Sequence, residues 1–201
     1  LKNSASLSPK ELKVLKDSDF LLTKQGIDIK ISSLLIDYQK ETENFFKEFQ
    51  HQLPSALNYR AGKVSKGQNY NGLPYWVVDL PSFFNQKEFF TYRMVVWWGN
   101  FISFSVVISG DMFDRMSVNL DDLDQTDLYY AINQSPWRIE FSEDNLIRIE
   151  QKERARIEEH QKTANFIKVS KRYELSDLPN LKSIGSECFE LIISSMNWRN
   201  I

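Results

Sequence analysis

Cysteine, histidine and glycine are all scarce in this chain, and each scarcity closes a route. One cysteine, Cys188, allows no intrachain disulfide and no cysteine-based zinc site. Two histidines, His51 and His160, are too few for a centre built on several imidazoles. The seven glycines never fall into the spacing of a phosphate-cradling loop, and no Gly-x-Ser-x-Gly nucleophile turn is present. No run of about 18 apolar residues exists, so no membrane-spanning helix is expected. The first residues lack the basic-then-apolar pattern of a signal peptide. A cytoplasmic protein that touches no membrane is the expectation. Positive charge is not in excess either. Lys and Arg number 25 against 27 Asp and Glu, a net charge of -2. A nucleic-acid partner held by bulk electrostatics is therefore not expected.

Aromatic and β-branched residues are what the chain does hold, and they concentrate in one stretch. Glu88 to Gly110, EFFTYRMVVWWGNFISFSVVISG, reads as a long β-hairpin turning at Gly99-Asn100. With those two residues as the loop, Trp98 faces Phe101 and Val95 faces Phe104. Strand side chains alternate. Phe104, Val106 and Ile108 then share a face with Arg93, Val95 and Trp97. Phe101, Ser103 and Ser105 share the other with Tyr92, Met94 and Trp98. Both faces are apolar enough to need cover. The face with the serines is the softer one and the expected ligand wall.

Helices bracket this hairpin. Ser8-Pro9-Lys10-Glu11 is a capped helix start, with the helix running to Lys24 or Gln25 and ending at Gly26. A second helix is expected from about Asp28 to Gln52. Its stripe is Ile31, Leu35, Tyr38, Phe45, Phe49 and Leu53, and Pro54 stops it. The stripe suits core packing first and a dimer seam second. A last helix carries Leu181, Ile184, Cys188, Leu191, Ile192 and Met196 on one side, with Gly185 allowing close backbone packing. Between these lie a charged edge strand near Tyr59 to Lys66, an Asn71-Gly72 turn, and strands at Tyr75–Leu80, Leu128–Asn133, Pro136–Phe141 and Phe166–Leu175. Ser142 to Lys162 is expected to be a mostly exposed helix, with Leu146–Glu150 extended as the alternative. Glu150/Arg154 and Glu158/Lys162 are its expected ion pairs.

The sum is an α+β class. An antiparallel sheet of five to six strands centres on the aromatic hairpin at 88–110, with the N- and C-terminal amphipathic helices packed on one face. Residues 1–201 are expected to form a single domain, a length one core can serve.

Few residues suggest chemistry. Cys188 lies on an apolar helix stripe, where cysteine acts as a small hydrophobe. Asp111 to Asp127 holds six acidic residues, without the spacing or glycine of an EF-hand. Downstream, Glu150-Gln151-Lys152 resembles the Asp…Glu-x-Lys arrangement of the PD-(D/E)XK nucleases, which implies two carboxylates on Mg²⁺ and a lysine beside the attacking water. In that superfamily Glu-x-Lys sits on a strand, whereas here it opens an expected helix.

The leading expectation is a non-catalytic binding or interaction protein with an aromatic-lined cavity against the sheet. Tyr92, Trp98, Phe101, Ser103 and Trp137 are the expected lining. The partner would be a small apolar ligand, another protein or a second copy of the chain, with no cofactor and no metal. The alternatives are a metal-dependent hydrolase or nuclease using the acidic residues of 111–127 with Glu150, and a module stacking single-stranded nucleic acid on the hairpin.

Overall fold

The computed structural model of the chain describes residues 6–48, 62–110, 113, 116–120 and 126–198. Phe49, His51, Leu53 and Pro54, and most of the acidic stretch after Gly110, lie outside them. The described residues fall into two compact units, Leu1–Asp37 and Tyr38–Ile201.

In the first unit, helix α1 (Pro9–Lys16) begins with the expected capping box. The Glu11 amide donates to the Ser8 hydroxyl and the Ser8 amide to the Glu11 carboxylate. Helix α2 (Ser18–Glu48) follows after one residue and carries on into the second unit. The break therefore falls at Asp17 and not at Gly26. Asp17 closes α1, and its carboxylate accepts the Phe20 amide at 2.9 Å as the cap of α2. Gly26 sits inside α2 with open space around it. A glycine costs a helix only about 1 kcal/mol, too little to stop one begun by so good a cap. Ile31 and Leu35 are buried as the stripe predicts.

The second unit is built on a seven-stranded, wholly antiparallel sheet. The strands are β1 (Lys63–Tyr70), β2 (Leu73–Phe84), β3 (Phe89–Trp97), β4 (Phe101–Ser109), β6 (Tyr129–Ala131), β7 (Leu146–Arg148) and β8 (Phe166–Tyr173). Their order is β1-β2-β3-β4-β8-β6-β7. A separate two-stranded pair joins β5 (Met116–Val118) to β9 (Met196–Trp198). The sheet thus has one strand more than the upper expectation. Asn71 and Gly72 make the β1–β2 turn, both with positive φ, as a type I′ hairpin requires. Strand β2 is longer than expected. It passes Pro81 through a bulge, since Asp79 pairs Arg93 but Ser82 pairs Thr91, and bulges tolerate proline.

The hairpin register differs by one residue from the sequence reading. Trp97, not Trp98, faces Phe101. The Asn100 amide donates to the Trp97 carbonyl at 3.1 Å, so Trp97–Asn100 is a β-turn with Gly99 (φ 71) in its third position. The Trp98 amide donates away from the hairpin, to the Pro74 carbonyl on β2. Three residues therefore leave the ladder instead of two. A one-residue slip moves every side chain of a strand to the other face. Ile102, Phe104, Val106 and Ile108 share the face of Tyr92, Met94 and Val96. Phe101, Ser103, Ser105 and Val107 share that of Thr91, Arg93, Val95 and Trp97.

The Tyr92 face is covered by helices. α2 from Tyr38 onward and α4 (Leu181–Ser194) meet it through an aromatic cluster. Phe46 and Phe189 lie 4.6 Å apart, Tyr92 and Phe189 5.1 Å apart, and Tyr92 stacks on Phe104. Gly185 is where the backbone comes closest, since a Cβ there would stand 2.7 Å from the Tyr38 ring. Helix α3 (Arg154–Thr163) buries Ile157 and sets His160 against Tyr130 of β6. Its ion pairs include Arg154–Glu158, Arg156–Glu153 and Glu159–Lys162, while Glu150 pairs with Lys152. Leu146–Arg148 takes the extended alternative.

The opposite face is covered by an irregular segment, residues 132–145. Pro136–Phe141 is not a strand. It crosses the sheet as a lid, and Ile139 packs on Val95, Trp97 and Phe101. The expected start of the last helix, at Ser176 or Asp177, is instead a 3-10 turn over Leu175–Asn180. Pro179 within it has no amide hydrogen to donate.

Candidate binding cleft

Beneath the 132–145 lid, beside the apolar cluster of Val95, Trp97 and Phe101, the sheet also carries polar side chains. Asp79 and Arg93 are opposed on β2 and β3 and form a two-pronged ion pair, at 2.7 and 3.0 Å. Thr91 donates to the same carboxylate at 3.0 Å. On the next strands Ser105 and Ser170 hydrogen-bond at 2.8 Å. Lys168 of β8, 2% exposed, donates its ammonium to the Arg138 carbonyl of the lid. Burial lowers its pKa to about 7, with the positive charge of Arg93 adding to the effect and Glu140 opposing it.

The lid is tied down at several points. The Tyr70 hydroxyl donates to Glu140 at 2.6 Å and accepts the Ile139 amide at 3.1 Å. Arg138 pairs with Asp144, Asn133 with Asn145, and the Asn145 amide with the Glu140 carbonyl. Burial pushes the Tyr70 hydroxyl up to about 12, so at neutral pH it stays a donor.

This anchoring fixes Trp137. Its indole lies over the Arg93 guanidinium, 4.4 Å from ring centre to carbon, a cation–π contact. Arg93 is itself held by Asp79. Phe89 and Phe84 flank the indole at 5.0 and 6.0 Å. Trp137 and Phe84 nevertheless remain 38% and 47% exposed. Trp137 borders an open cleft of about 570 Å³ where β3 and β8 begin and β4 ends. Phe113 and Phe166 add aromatic wall, and Gln86, Gln134 and Asn165 add amides. Lys87 and Glu88 contribute opposite charges. The size falls within the ~300–1,000 Å³ of small-molecule sites.

The expected lining does not assemble in one place. Tyr92 is fully buried on the helix-covered face and donates to the Gly185 carbonyl at 2.7 Å. Phe101 and Ser103 are buried under the lid, with Phe101 edge-on to Trp97 and Phe141. Trp98 is half-buried in the hairpin turn. Only Trp137 reaches the cleft. The Asp79–Arg93 pair is what sequence reasoning missed. The available signal was one acidic and one basic residue on otherwise apolar strands, which pairing can bring face to face.

Other candidate groups are committed within the protein. Burial pushes the Cys188 thiol up to about 12, and such a thiol is a poor nucleophile. The His160 imidazole is lowered by burial and faces the Tyr130 hydroxyl at 3.3 Å. Arg148 pairs with Asp127 and reaches Glu150 at 3.5 Å. Among the described residues no group of three or more His, Cys, Asp or Glu is placed to hold a metal ion, and no helix is long and apolar enough to cross a membrane.

Comparison with protein-family models, with curated proteins and with solved structures finds no match to this chain.

Proposed function

We propose that this chain is a non-catalytic binding domain whose ligand seats in the cleft beside Trp137. One observation carries the reading. A large aromatic side chain stands in the open, yet it is fixed from below by Arg93 and from the side by Phe89 and Phe84. Exposed aromatic surface on a rigid support is characteristic of recognition sites, because the cost of ordering it is met before the ligand arrives. The cleft's amides supply polar contacts that an apolar ligand would not satisfy. The reading therefore favours a small uncharged polar ligand over the apolar one expected from sequence.

Native mass spectrometry beside the denatured mass tests this directly. A non-covalent adduct of a few hundred daltons, lost from Trp137→Ala, is the expected result. An adduct that survives Trp137→Ala places the ligand elsewhere and defeats the reading.

A further inference from the structure

We propose that the cleft takes a neutral saccharide, one pyranose ring lying on the Trp137 indole. This rests on the cleft being a binding site and goes further in naming the ligand's chemistry. A pyranose presents a flat patch of C–H bonds, polarised by the neighbouring oxygens, and hydroxyls around its rim. The patch needs an exposed aromatic face. Trp137 supplies one, since Arg93 occupies its other side. The rim needs uncharged groups that both donate and accept. Each of the Gln86, Gln134 and Asn165 amides offers two N–H donors and a carbonyl acceptor. All three are exposed, and none makes a side-chain hydrogen bond within the described protein.

Charge narrows the choice. Lys87 is offset by Glu88, and Arg93 is spent on Asp79. A phosphate or carboxylate ligand finds no cluster of cations, which is how such groups are usually held. The commonest mode for an extended peptide adds a strand to a sheet edge. At the cleft β3 and β4 offer no such edge, since each lies between two neighbours, while β8 is joined to β4 along its length and to β6 at Val169 and Ser170.

The test titrates the full chain with neutral tetrasaccharides of gluco, manno and galacto configuration, followed by calorimetry and saturation-transfer NMR. A uronic-acid tetrasaccharide is the charged comparison. The proposal expects at least one neutral probe to bind, and the uronic acid to bind about tenfold more weakly, a difference of about 1.4 kcal/mol. Trp137→Ala abolishes binding, Trp137→Phe retains most of it, and Gln134→Ala weakens it. Gln134→Ala leaves the melting curve unchanged, and Trp137→Ala, which also gives up its contact with Arg93, still unfolds in one cooperative transition. Binding untouched by Trp137→Ala and Gln134→Ala overturns the proposal. So does silence from every neutral probe at about 10 mM, which corresponds to less than about 3 kcal/mol of affinity. If native mass spectrometry then still shows a Trp137-dependent adduct, the cleft stands and only the saccharide falls. If it shows none, both fall.

Discussion

Lys168 shows how much one residue can hide from sequence. The alternation of FIKVSKRY places Lys168 with Phe166, Ser170 and Arg172, and the strand has that arrangement. What the alternation could not say is that an irregular lid would bury this face. Lysine is almost never fully buried unless paired, and here its partner is one backbone carbonyl. The consequence is a pH dependence of known sign. In the unfolded chain the amine titrates near 10.4, and in the fold near 7. Between those values the unfolded state binds more proton, so raising the pH favours the folded state. Stability should climb above pH 7 by up to about 1.4 kcal/mol per unit. Lys168→Met should flatten that climb and add about 1–3 kcal/mol at neutral pH by removing a poorly satisfied polar group. Urea unfolding from about pH 6 to 9 reads both. A wild-type curve without the climb would mean the amine is not held neutral.

At the scale of elements, periodicity found the helices and strands, and local hydrogen bonding decided where they stop. Gly26 looked like a terminator, but Asp17 offered a better cap nine residues earlier. Pro136–Phe141 alternated like a strand. Its backbone instead spends the Ile139 amide on the Tyr70 hydroxyl, a partner 69 residues away. The hairpin is the sharpest case. The Gly-Asn signal was right about the turn and one residue short in the loop, because the Trp98 amide bonds to β2, an element the dipeptide does not contain. That one bond decides which residues share a face with Arg93, and so what lies under the lid. Gly99 has a φ of 71, and the nearest neighbour a Cβ would meet is Leu73 at 4.0 Å. The cost of a side chain there is backbone strain and not a clash. Gly99→Val should destabilise by more than about 1 kcal/mol. Gly99→Asn should cost distinctly less, since asparagine tolerates the left-handed region. Equal melting temperatures for all three chains would remove the turn assignment.

At the scale of the whole molecule, composition foresaw an α+β chain with a core but not how unevenly apolar surface is distributed. Among the described residues, eleven of the fourteen exposed large hydrophobics lie between Leu7 and Ile36. Leu22, Ile29 and Ile36 follow one another at intervals of seven along α2, at 67%, 63% and 43% exposure. They form a second apolar line on a helix whose Ile31 and Leu35 are buried. A stripe argument reads one face at a time, which is why only the buried line was foreseen. α1 contributes still less to any core, since none of its residues is buried. Deleting residues 1–16, which keeps the Asp17 cap, should therefore leave the fold in place. Replacement of exposed residues usually stays within about 0.5 kcal/mol. For a chain of this size that corresponds to a melting shift of no more than about 2 °C. Deleting Asp17 as well should cost about a further 1 kcal/mol by removing the cap. A loss above about 5 °C from the chain that starts at Asp17 would show that α1 covers part of the fold. A small one leaves α1 an appendage that presents Leu12, Val14 and Leu15 to solvent.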